Sequence, residues 1–108
     1  MKIAITSTGL SLDSFVSEKF GRCSYFVLFE TQTKAMNSIV NSAETLEHGA
    51  GPKAAQLIIR QNVELVLTGA VGGNAEEALK TGGVKIVTGL KSNMRVSEAI
   101  DLYLNSKL

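Results

Sequence analysis

Apolar and polar positions along the chain follow two different rhythms. Lys2–Thr6 reads as a short strand, ended by the turn signal Ser7-Thr8-Gly9. Residues 10–22 are polar and irregular. Tyr25–Glu30 is aromatic and β-branched, which predicts a strand, and a weaker strand follows over Met36–Val40. The short Thr31–Lys34 link between them predicts an antiparallel hairpin. The helical period then takes over. Pro52 suits the first position of a helix whose apolar face carries Ala54, Leu57 and Ile58, with Asn62 as its stop. Val63–Leu67 is nearly all apolar, as a strand covered on both faces would be. Asn74 and Glu77 have the spacing of a capping box, opening a second helix that ends at Gly82-Gly83. Val84–Val87 predicts a last strand. A third helix is expected over Arg95–Leu104, with Val96, Ala99, Ile100, Tyr103 and Leu104 on one face and Ser92 or Asn93 as cap.

Strands and helices alternate in the second half, which implies parallel strands joined by right-handed crossovers. With the hairpin in front, the simplest architecture is α/β, a mixed five-strand sheet with helices on both faces. The length of 108 residues allows one domain over 1–108 and no second core. A chain of this size buries roughly two-thirds of the surface its unfolded form exposes.

Charge narrows the partners. Eleven Lys and Arg against ten Asp and Glu leave a net charge of +1, with the basic residues scattered and no Trp. A nucleic-acid-binding face would need a concentrated basic excess, so nucleic acid is not expected. No stretch approaches the ~20 apolar residues of a membrane helix, and no leader pattern precedes the first strand. The lone Cys23 has no partner for an internal disulfide, which suits a reducing cytoplasm.

The candidate chemistry gathers in glycine-containing turns. Ligands in such sheets collect beyond the carboxyl ends of the parallel strands. Three turns should meet there: Thr6-Ser7-Thr8-Gly9, Gly69-Ala70-Val71-Gly72-Gly73-Asn74 and Thr88-Gly89-Leu90-Lys91-Ser92. In the second, glycines let the backbone approach a ligand and aim N–H groups at it, and the helix that follows adds its positive end. Together these predict an anion cradle. Plain turn-making is the competing reading of the same glycines. Neither the phosphate-loop pattern nor the dinucleotide fingerprint occurs.

Lys19, Arg22 and Cys23 lie on one loop leading into a strand, where the cations would lower the thiol pKa and favour a soft metal. The competing reading makes Cys23 a small buried apolar residue. His48, the one histidine, precedes Gly49-Ala50-Gly51 and a helix start, and imidazole is a common metal ligand. No nucleophile elbow and no Cys-x-x-Cys or His-x-x-x-His pair is present, so no enzyme is expected.

Read in order, Met1–Ile5, Val16–Phe26, His48-Gly49-Ala50-Gly51 and Gly69–Ala75 resemble the dinitrogenase iron–molybdenum cofactor biosynthesis family over Met1 to about Leu104. The resemblance implies a ribonuclease-H-like, three-layer α/β/α fold with one antiparallel strand in the sheet. It also implies non-catalytic carriage of an iron–sulfur or molybdenum–sulfur cluster, or of its anionic precursor. The residues expected to hold it are Ser7, Lys19, Arg22, Gly49, Gly51, Gly69, Gly72, Gly73 and Asn74, with Cys23 and His48 as metal ligands. The family often has His where this chain has Lys19, and many members have Pro at the place of Gly73. The first change weakens coordination and leaves charge attraction; the second loosens the turn without removing its N–H groups.

Ordinary iron–sulfur clusters take about four thiolates, and one chain here supplies one thiol and one imidazole. Either two copies share a cluster, or a preassembled polyanion is held by charge and hydrogen bonds. The alternative function is a regulatory module that binds a cofactor-assembly protein and holds no metal.

Overall fold

In the computed structural model, which describes Met1–Leu108, the strands are β1 (Lys2–Ser7), β2 (Tyr25–Glu30), β3 (Met36–Val40), β4 (Leu65–Leu67) and β5 (Lys85–Val87). The helices are α1 (Ala50–Arg60), α2 (Gly73–Thr81) and α3 (Val96–Leu104), with a 3-10 turn at Phe20–Arg22. The strands form one mixed sheet in the order β3-β2-β1-β4-β5. β1 pairs antiparallel with β2 and parallel with β4, β4 pairs parallel with β5, and β3 pairs antiparallel with β2. β2 is therefore the one antiparallel strand, as expected.

The period-2 pattern of the strands divides the core in two. On one face Ala4, Phe26, Leu28 and Val66 pack with Ala54, Ala55 and Ile58 of α1 and Ala75 and Leu79 of α2. On the other, Ile3, Ile5, Val27, Phe29, Leu65 and Leu67 pack with Val96, Ala99 and Ile100 of α3. Phe20 joins the first core through a tilted contact with Phe26, ring centroids 5.4 Å apart, an arrangement that contributes about 0.5–1.5 kcal/mol beyond burial. No helix is long and apolar enough to cross a membrane.

Helix boundaries depart from the sequence reading, each for a local reason. α1 starts at Ala50 because Gly49, at φ +74°, turns the chain in the left-handed region; Pro52 is the third helical residue instead of the first. Its buried stripe is Ala50, Ala54, Ala55 and Ile58, while Leu57 is only half-buried. Asn62 does take the left-handed conformation expected of it, φ +60°. α2 is capped by the extended backbone of Gly72, not by the Asn74 side chain, and no capping box forms there. α3 begins after Arg95, whose N–H donates to Glu98 Oε1 at 2.9 Å. The expected cap Ser92 instead donates its N–H to Glu18 Oε2 at 2.7 Å. Leu104 stays 41% exposed, off the buried face assigned to it.

Candidate functional site

Three segments meet at the amino ends of α1 and α2. Lys19–Arg22, Gly49–Pro52 and Ala70–Ala75 line a cleft of about 530 Å³. Their approach depends on missing side chains. A Cβ on Gly21 would lie 2.8 Å from Gly51 N and Cα, and one on Gly51 would lie 3.0 Å from Ala75 Cβ. Backbone thus packs on backbone where the 3-10 turn meets α1, and α1 in turn meets α2 through the Ala75 methyl.

The Lys19 segment is held by Glu18. Ala70 N–H donates to Glu18 O at 2.7 Å, and Phe20 N–H donates back to Ala70 O at 3.0 Å. A Cβ on Gly69 would lie 2.5 Å from Glu18 O and 2.7 Å from its Cα. Gly69→Ala is therefore expected to destabilise the fold by roughly 1–3 kcal/mol, read as a lower denaturant midpoint, because the neighbour is backbone and cannot rotate away. The hydrogen bond from Ser92 N–H also holds the Glu18 carboxyl below its usual pKa. That contribution is present above the ordinary carboxylate range and is lost as pH falls through the lowered value.

The polar groups of the cleft are donors. The N–H groups of Ala50, Gly51, Gly73, Asn74 and Ala75 find no acceptor within the chain, as first-turn geometry dictates. Pro52 has no N–H to offer. Two positive helix ends therefore face one space. Lys19 and Arg22 are the charged residues of the lining, and no Asp or Glu belongs to it. Arg22 Nη1 donates to the carbonyls of Glu44 and Leu46, which fixes the guanidinium and the loop before α1 together. Chemically this is a hydrogen-bonding, positively charged lining whose donors suit an anion.

Seven of the expected site residues line it: Lys19, Arg22, Gly49, Gly51, Gly72, Gly73 and Asn74. The others lie elsewhere. Gly69 supports the wall from behind. Ser7 is buried, with its hydroxyl donating to Gly9 O at 2.7 Å, so the first turn closes on itself instead of reaching the cleft. His48 is exposed in the loop before α1 and does not line the cleft. Cys23 is 1% exposed in the first core. Its thiol donates to Phe20 O at 3.3 Å and receives Asn41 Nδ2 at 3.7 Å.

The expectation that Lys19 and Arg22 lower the Cys23 pKa is corrected. Burial pushes the thiol up to about 12, against the smaller opposing effect of hydrogen bonds from the Ser7 backbone and Asn41. No group of three or more His, Cys, Asp or Glu side chains gathers where it could hold a metal ion.

Sequence reasoning missed Gly21, Ala50 and Ala75, whose smallness lets the segments meet, and Asn41. Asn41 is buried and donates to Gly21 O at 3.1 Å and Cys23 O at 2.9 Å, while its Oδ1 accepts Ala43 N–H at 3.1 Å. Its signal was an Asn directly after a strand, where Asx turns form. A larger hollow of about 720 Å³ runs beside β5, but it presents Glu76 with Lys80 and Lys85, and Lys80 pairs with Glu76 at 3.6 Å.

The fold recurs in known proteins. The chain is 36% identical to the orange protein from Desulfovibrio gigas, solved in its apo form, with a TM-score of 0.94 over 98% of this chain and 88% of that one. It is 35% identical to a putative NifB protein from Thermotoga assigned to the DUF35 family, with a TM-score of 0.85 over 98% and 89% of the two chains. No protein of curated function matches. The family described as "Dinitrogenase iron-molybdenum cofactor" matches residues 1–106, and the chain belongs to that family.

Proposed function

We propose that the protein binds and carries, without catalysis, an iron–sulfur or molybdenum–sulfur cluster or its anionic precursor in the cleft between α1 and α2. The observation that carries this reading is the convergence of two helix amino ends, with unpartnered N–H groups, beside Lys19 and Arg22 and no carboxylate. Such a lining offers N–H groups to sulfide and oxide ligands and no side chain that could displace them. The cargo is therefore held as a preassembled polyanion, by charge and hydrogen bonds. Loose holding suits delivery to a cofactor-assembly partner. A buried, unpaired thiol agrees with work in a reducing cytoplasm.

The test is an anaerobic titration with tetrathiomolybdate and, separately, with iron plus sulfide, followed by desalting and metal analysis. Metal is expected to stay at a fixed ratio to protein, and to be lost with rising salt because exposed charges are screened. Lys19→Glu should lower retention at least about tenfold, since it places a negative charge in the receptor. No retention of either probe would overturn the carrier reading and leave a regulatory module that holds no metal.

A further inference from the structure

The two edges of the sheet are finished differently. β5 is three residues long, carries Lys85 itself and has Lys80 and Tyr103 beside it. β3 is five residues long, and no charged residue occurs from Ala35 to Ser42. Charged residues are the usual protection of a free edge.

The hydrogen bonds fix which way the groups of β3 point. Asn41 N–H donates to Ser24 O, and Glu30 N–H donates to Ala35 O, at 3.0 and 2.9 Å. With the pairs Phe26↔Ile39 and Leu28↔Asn37 between them, the odd-numbered residues of β3 bond inward to β2. The N–H and C=O groups of Met36, Ser38 and Val40 therefore point outward. The side chains of these three residues share one sheet face, opposite Phe29, Val27 and Tyr25. Two of them are apolar and open to solvent, Met36 at 42% and Val40 at 65%.

From this edge we infer that two copies of the chain pair through β3, antiparallel, with Ser38 on the two-fold axis. The pattern is self-complementary, and this is the register that pairs all three outward residues with one another. Met36 meets Val40 of the second copy, Ser38 meets Ser38, and all three outward residues exchange both backbone bonds. The exposed Met36 and Val40 side chains then cover each other across the axis. Charge agrees with the direction: the Lys34 end of one strand lies against the Glu44 end of the other, and no like charges face each other within the paired segment. A shift by one residue would set inward-bonded groups against outward ones.

One strand pair covers less than the ~800 Å² per partner of a stable interface, so the dimer is weak, with a Kd on the order of 100 μM. This inference stands apart from cargo binding, since β3 does not line the cleft.

Sedimentation equilibrium of the full chain from about 20 μM to 2 mM, a range chosen around that dissociation constant, tests it. Amide hydrogen exchange at both ends of the range locates the contact. The expected result is a concentration-dependent dimer in which the Met36, Ser38 and Val40 amides slow with concentration, while Asn37 and Ile39 are slow throughout. Ser38→Pro removes an N–H that the monomer does not use, and should weaken association at least about tenfold. Ser38→Lys, which leaves the backbone alone and sets two cations across the axis, should do the same. A monomer throughout the range would overturn the inference. So would a dimer that survives Ser38→Lys, or protection gained at residues other than these three.

Discussion

Gly72→Val is expected to lower retention of tetrathiomolybdate or an iron–sulfide cluster at least about tenfold, some 1.4 kcal/mol, at unchanged thermal stability. Few site substitutions separate the two so cleanly. Gly72 has φ −69° and ψ 158°, an extended conformation open to any residue. No heavy atom lies within 4 Å of a Cβ placed there, so the valine strains nothing in the fold. Gly72 lines the cleft beside the free N–H groups at the start of α2, and two added methyls stand where a ligand must approach. The control is Lys80→Ala, which removes a cation on α2 whose ammonium pairs with Glu76. It should leave retention nearly unchanged. Equal losses at the two positions would mean that general charge, not the backbone receptor, holds the anion.

The second large effect concerns Cys23. The native thiol should react with a soluble disulfide reagent near pH 8 at least about a thousandfold more slowly than in denaturant, because only the thiolate attacks. Burial raises its pKa from 9.0 to about 12, which lowers the ionised fraction by that factor before access is considered. The same shift fixes a pH dependence. Above pH 9.0 the unfolded chain gives up this proton while the folded chain keeps it, so the folded state binds more protons. Stability must then fall as pH rises, by about 1.4 kcal/mol per unit between the two pKa values. Below pH 9.0 the thiol contributes no slope. Cys23→Ala should abolish the alkaline slope, at a cost of roughly 1–2 kcal/mol from the space left in the core. It should also leave cluster retention intact. Rapid modification of the native protein, or loss of retention in Cys23→Ala, would return the thiol to the binding chemistry.

These outcomes divide what the sequence revealed from what it concealed. Strand positions and the parallel second half were legible because β-branched and apolar runs alternate with amphipathic helices. The glycine turn at 69–74 was legible as a strand-to-helix turn that lines a cleft, because its glycines sit between a buried strand and a helix. The helix starts were not. Pro52 and Asn74 carry the usual start signals, but backbone conformation at Gly49 and Gly72 moved both starts toward the amino end. That shift turned Ala50 and Gly51 from loop residues into the first donors of α1. Cys23 misled because its sequence neighbours are cations, whereas its spatial neighbours are Phe20, Asn41 and the first core. Adjacency in sequence says little about which way a side chain turns at a strand start. Ser7 was lost for the same reason, since β1 runs one residue further than its pattern and takes Ser7 into the sheet opposite Tyr25.

β1 lies at the centre of the sheet, yet its parallel neighbour begins at Leu65, so Ile3 waits for a partner 62 positions away. A ribosome that has released β1, β2 and β3 has made an antiparallel ribbon with one flank of β1 bare. The cleft needs more still, since its wall extends to Ala75 and Gly69 O is tied to Gly89 N–H. The cleft is therefore complete only once the chain from Lys19 to Gly89 has been made, so its walls form late in synthesis although its first segment emerges early.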